Sequence, residues 1–129
     1  MVELNYFNQL KVLCYTERIE KILRGEIPLP VGVEIDPSNI CNYDCPWCFY
    51  SKYRKNKNVM ISSTNFTKIM DELVELDIKS VTFTGGGEPL VNPNTVRIIE
   101  EYGNKIDIGL VTNGSLLAVS YTHLTLPTN

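Results

Sequence analysis

Cys41 Asn42 Tyr43 Asp44 Cys45 Pro46 Trp47 Cys48 places three thiols in a CxxxCxxC arrangement, and the number of thiols is informative. A structural zinc site or an electron-transfer iron–sulfur cluster normally completes its coordination with four protein donors, whereas a catalytic metal keeps one position free. Three local thiolates on a [4Fe–4S] cubane would leave one iron open to a small molecule. Gaps of three and two residues let a short loop curl its sulfurs around one face of such a cluster, with Pro46 stiffening the turn and Trp47 projecting beside it.

A disulfide framework is disfavoured because the chain has only four cysteines in 129 residues, shows no signal-peptide apolar region, and sets Cys14 apart in a helical pattern. A non-catalytic metal-binding module, holding zinc or a cluster on the same cysteines, remains the alternative. Within this chain a Cys₃His zinc site would need His123, its only histidine. Composition sets further bounds. A content of 43% apolar and 21% charged residues fits one globular domain, and a formal charge of −3 argues against a nucleic-acid partner held by counterion release. No apolar run is long enough to span a membrane, and free thiols fit a reducing, cytoplasmic setting.

Working outward, Val31 to Asp36 alternates as a strand that ends at Pro37 and Ser38, so the cysteine loop leaves a strand's carboxyl end. Parallel α/β folds gather ligands there. Upstream, residues 1–30 read as a helix and linker. Apolar positions from Phe7 to Leu23 recur at helical spacing with Cys14 as a small core residue, Gly25 stops the helix, and Pro28 and Pro30 prevent its resumption.

Downstream, Lys52, Arg54, Lys55 and Lys57 with Tyr50 and Tyr53 read either as a solvated loop or as a docking surface for an acidic electron donor or an anionic substrate group. A helix follows over Ser62 to Asp77, with Ser62 or Ser63 as N-cap and Phe66, Ile69, Met70, Leu73 and Leu76 on its apolar face. Lys79 to Thr84 then makes a second strand running into Gly85 Gly86 Gly87 Glu88 Pro89. Without Cβ atoms, such a run lets a ligand approach the backbone, yet neither GxGxxG nor GxxxxGK[ST] is present. A helix capped by Asn92 and stopped by Gly103, and a third strand over Ile106 to Thr112, complete a strand–helix alternation that requires a parallel sheet.

The cysteine loop, the Gly-Gly-Glu run and the Thr112 Asn113 Gly114 string together resemble the radical S-adenosylmethionine (SAM) superfamily. The resemblance implies the N-terminal half of a partial (β/α)₆ barrel, truncated after the third strand. It also implies a [4Fe–4S] cluster on Cys41, Cys45 and Cys48, with SAM contacts from Trp47, Gly85, Gly86, Gly87, Glu88 and Asn113. Trp47 would pack near the adenine, and Glu88 would help receive the methionyl ammonium, which has donors and no acceptors. The implied partners are SAM, a reduced flavodoxin- or ferredoxin-type electron donor, and a peptide or small-molecule substrate.

The core is expected over residues 31–118. From Val119 onward the tail, Val119 Ser120 Tyr121 Thr122 His123 Leu124 Thr125 Leu126 Pro127 Thr128, carries no charge and reads as an in-frame translation of a transposase-type sequencing adapter. It is expected to be non-native, which would remove His123 from the zinc alternative. Three strand units alone are expected to leave an open sheet edge and an inactive fragment.

Overall fold

The computed structural model describes residues 13–52 and 58–120. Helix α1 (Thr16–Leu23) is followed by strand β1 (Gly32–Ile35), helix α2 (Ser63–Glu75), strand β2 (Ser80–Phe83), a 3₁₀ turn (Pro89–Val91), helix α3 (Asn94–Tyr102), strand β3 (Asp107–Leu110) and the short helix α4 (Leu117–Ser120). The strands form one parallel sheet in the order β1-β2-β3. Gly32 is in register with Ser80 and Ser80 with Asp107. All three strands therefore finish together, and the loops that follow them meet at one end.

The central strand supports the core because Val81 and Phe83 are fully buried. Against them pack Phe66, Met70 and Leu73 of α2 and Ile98 and Tyr102 of α3, with Phe66 and Phe83 in an edge-on ring contact at 5.3 Å. Ser62 caps α2 by accepting from the Asn65 amide at 3.3 Å. The stop of α2 lies in its C-terminal turn. Asp77 takes a left-handed φ of 55° while Ile78 N donates to Leu73 O and Asp77 N to Val74 O, the paired bonds of a Schellman motif with aspartate where glycine is usual. Leu76, assigned to the apolar face, is instead exposed.

The N-terminal helix differs from expectation. Only Thr16–Leu23 is helical within the described residues, none of its residues is buried, and Cys14 is exposed rather than a core residue. The helix is held by a polar contact. The Arg18 guanidinium donates to the carbonyls of Leu29 (3.0 Å), Pro30 and Asp77 (3.1 Å), tying α1 to its own linker and to the end of α2. Gly25 does supply the left-handed stop, at φ 80°. The basic positions 54, 55 and 57 and the tail from 121, His123 included, lie outside the described residues. Among the described residues no helix is long and apolar enough to cross a membrane.

Candidate functional site

The cysteine loop is anchored at its root before it reaches the thiols. Asn39 N donates to Val59 O at 3.1 Å, Ile61 N to Pro37 O at 3.0 Å, and the Asn39 side chain accepts from Val59 N at 2.7 Å. Beneath them sits Asn92, 1% exposed, whose Nδ2 donates to Pro37 O at 2.9 Å and to Ile61 O at 3.0 Å while its Oδ1 accepts from Asn94 N. One side chain thus joins the end of β1, the lead into α2 and the start of α3. The sequence identified Asn92 only as a cap.

The glycine run lies directly against this loop. Glu88 N donates to Ile40 O at 2.8 Å. A Cβ built on Gly87 would stand 2.3 Å from Ile40 O and 2.5 Å from Ser38 O. Gly85, at φ 143°, faces the Asp36 side chain, whose Oδ2 accepts from Gly86 N at 3.1 Å. At Gly85 and Gly87, therefore, the room left by the missing side chains is taken by the chain itself.

Glu88 is 2% exposed, and three donors from its own chain occupy its carboxylate. Oε1 accepts from Leu90 N at 3.1 Å and Thr112 Oγ1 at 2.7 Å, and Oε2 accepts from Asn113 N at 2.9 Å. Of roughly four acceptor positions on a carboxylate, the described residues fill three and leave one, on Oε2. The residue joins the end of β2 to the end of β3. Asn113 in turn faces the cysteine loop, its Nδ2 2.9 Å from Asn42 Oδ1 and 3.9 Å from Cys41 Sγ.

The outcome is an open cavity of about 270 Å³ at the carboxyl end of the sheet, lined by Cys41, Cys45 and Cys48, by Gly85 to Glu88, and by Thr112 and Asn113. The three thiols are half-buried, and none is in a disulfide. Eight of the nine site residues read from the sequence line this cavity. The ninth, Trp47, is 85% exposed and does not line it. Sequence reasoning missed Asn42, Ser115 and Thr112, of which Thr112 alone had a signal, as the first residue of the Thr-Asn-Gly string.

The family model described as the radical SAM superfamily matches residues 35–124. This chain belongs to the radical SAM superfamily. The match continues past Val119, where the tail was expected to begin. The chain is 35% identical, over 87% of its length, to the radical SAM cyclopropyl synthase TigE of Paramaledivibacter caminithermalis, and 28% identical, over 77%, to a GTP 3',8-cyclase of Staphylococcus epidermidis. It spans 28% and 32% of those proteins. Among solved structures, BtrN in complex with AdoMet and 2-DOIA matches with a TM-score of 0.56 and 26% identity, over 67% of this chain and 37% of BtrN. The three-stranded parallel sheet with its helices is thus part of a radical SAM barrel.

A cluster fits the donor set of this cavity. Among the described residues no group of three or more His, Cys, Asp or Glu side chains is arranged to hold a single metal ion. A cubane does not require that, since each thiolate binds a different iron and the sulfurs need only surround one cavity.

Proposed function

We propose that this chain carries the cluster- and SAM-binding portion of a radical SAM enzyme, with Cys41, Cys45 and Cys48 as ligands to three irons of a [4Fe–4S] cluster. The reading rests above all on the meeting of these thiols with Gly85 to Glu88 around one cavity at the ends of three parallel strands. Held by these cysteines, a cluster would supply the one electron that cleaves SAM reductively at its sulfur–C5′ bond, and the 5′-deoxyadenosyl radical so released would abstract a hydrogen atom from substrate.

The chain's own contribution is to bind and orient. The root of the cysteine loop, held by Asn39, Asn92 and Glu88 N, fixes the loop on which the three sulfurs sit. The methionyl ammonium of SAM has three donors to satisfy. As the family resemblance implies, Glu88 and the carbonyls of the glycine run, residues that line the cavity, would accept from it. Trp47 and Asn113 complete the SAM contacts. The exposed indole would have to turn inward to stack on adenine, whereas Asn113 already lies at the rim. The substrate, a peptide or small molecule, would enter above the cavity, and a flavodoxin- or ferredoxin-type protein would deliver the electron.

Anaerobic reconstitution with iron and sulfide tests the reading. The expected outcome is a [4Fe–4S] absorbance and, after reduction, an electron paramagnetic resonance signal that changes on adding SAM. Cys45→Ala should lose the cluster and the SAM-dependent change together, while Cys14→Ala keeps both. A colourless protein holding one zinc would overturn it in favour of a plain metal-binding module.

A further inference from the structure

Asn42, Asn113 and Ser115 close a ring of hydrogen bonds beside the cavity that Asn113 lines. Asn113 Nδ2 donates to Asn42 Oδ1 at 2.9 Å, Asn42 Nδ2 donates to Ser115 Oγ at 2.7 Å, and Ser115 Oγ donates to Asn113 Oδ1 at 2.6 Å. Its direction is determined by the backbone. Ser115 N sits 3.0 Å from the Asn113 side chain, and because an amide N–H only donates, the atom it faces must be Oδ1. Nδ2 is therefore the end that faces the cysteine loop, and Asn42 must present its oxygen there. One Nδ2 proton serves Asn42, leaving the other for Cys41 Sγ, 3.9 Å away. On the opposite side the Asn113 backbone N–H is held by Glu88. The side chain is exposed, so the ring orients it rather than burial.

Beyond its place at the SAM rim, we propose that Asn113 is a positioning residue that acts through Cys41 to raise the reduction potential of the cluster, with Asn42 and Ser115 holding its amide in the required orientation. The proposal rests on the reading that Cys41 is a cluster ligand. On taking one electron from an external reductant, a [4Fe–4S]²⁺ cluster becomes [4Fe–4S]⁺, and part of the added charge resides on its thiolates. An N–H dipole aimed at one of those sulfurs stabilises the reduced form more than the oxidised one. The ring also makes the effect sensitive to a hydroxyl that touches no sulfur.

The test is the midpoint potential of the reconstituted protein, poised with dithionite and mediator dyes and read by electron paramagnetic resonance, with iron and sulfide counted for every variant. Asn113→Ala should keep its iron and sulfide and become harder to reduce by a few-fold to about tenfold in the reduced-to-oxidised ratio, the latter being 59 mV for one electron. Ser115→Ala should shift the same way by less, and Asn113→Ala with Ser115→Ala by no more than Asn113→Ala alone. An unchanged potential in a fully loaded Asn113→Ala protein overturns the proposal and leaves the cluster reading standing. Should Asn113→Ala fail to load, Ser115→Ala decides: a lowered potential supports the proposal, an unchanged one overturns it. Loss of the cluster from both variants makes the ring a scaffold for the loop and also overturns it. A wild-type protein that takes up no cluster removes both readings together.

Discussion

Replacing Gly87 by alanine tests what the glycine run is for. The new methyl carbon would lie 2.3 Å from Ile40 O, 2.5 Å from Ser38 O and 2.6 Å from Asn39 C, all main-chain atoms that cannot swing aside. Relief requires the cysteine loop to lift from the end of β2, which breaks the 2.8 Å bond from Glu88 N to Ile40 O. Overpacking costs about 1–3 kcal/mol and a lost hydrogen bond about 1 kcal/mol, giving roughly 2–4 kcal/mol. That corresponds to a fall in melting temperature on the order of 10 °C. Gly86→Ala is the internal control, because its Cβ would meet only the Tyr50 ring at 3.5 Å, an ordinary contact. Thermal unfolding of the metal-free protein should separate the two variants clearly. If both unfold like the wild type and lose only SAM binding, the run serves ligand approach and the packing account is wrong.

Asn92→Ala removes two donors and one acceptor from a fully buried position, and urea unfolding should show a loss of about 2–4 kcal/mol, each orphaned group costing about 1–3 kcal/mol. Glu88→Gln turns one oxygen that now accepts from Thr112 or Asn113 into a donor; a loss of about 1–3 kcal/mol in the metal-free protein is expected, and unchanged stability would remove its role as a strut. Burial, followed by the hydrogen bond to Asp71, pushes the Tyr102 hydroxyl up to about 12. A folded-state value above the unfolded one of about 10 stabilises the fold fully below pH 10 and loses that contribution as pH rises towards 12, so Tyr102→Phe should flatten the stability profile in that window. Arg18→Ala frees α1 from three carbonyls, and limited proteolysis should then cut between α1 and β1 sooner while the melting of the core barely moves.

The sheet was legible because its signals are local and agree with one another. Val31, Val33 and Ile35 alternate, Phe66, Met70 and Leu73 recur at helical spacing, and Val81 and Phe83 lead into glycine. Alternating strands and helices leave little choice but a parallel order. The first helix misled for a physical reason. Ile19 and Ile22 fall at helical spacing, yet periodicity says only that a face exists and not that anything covers it. What holds α1 is a guanidinium reaching carbonyls at residues 29, 30 and 77, contacts that carry no periodic signature. The end of α2 was placed at Asp77, two residues past Glu75, without its signal, because aspartate occupies the left-handed position where glycine would have marked it.

The candidate site divides along the same line between what spacing encodes and what tertiary contact supplies. Spacing found the thiols and the glycine run, because CxxxCxxC and Gly-Gly-Glu concentrate unusual residue types in a few positions. It did not show the packing contact beside them, since glycine before a glutamate looks the same whether the approaching group is a ligand or another loop. At Gly87 the approaching group is the backbone of residues 38–40. With Glu88 N bonded to Ile40 O and the Glu88 carboxylate bonded to Thr112 and Asn113, one tetrapeptide fastens the loops after all three strands to each other. On the proposed reading, a loop that holds three sulfurs around one cluster gains from being stiff before the metal arrives, since binding would otherwise have to order it first. Asn42 and Ser115 join the cysteine loop to the turn after β3. They were invisible in the sequence because their partners lie 71 to 73 residues apart in the chain, a separation over which no residue pattern reports contact.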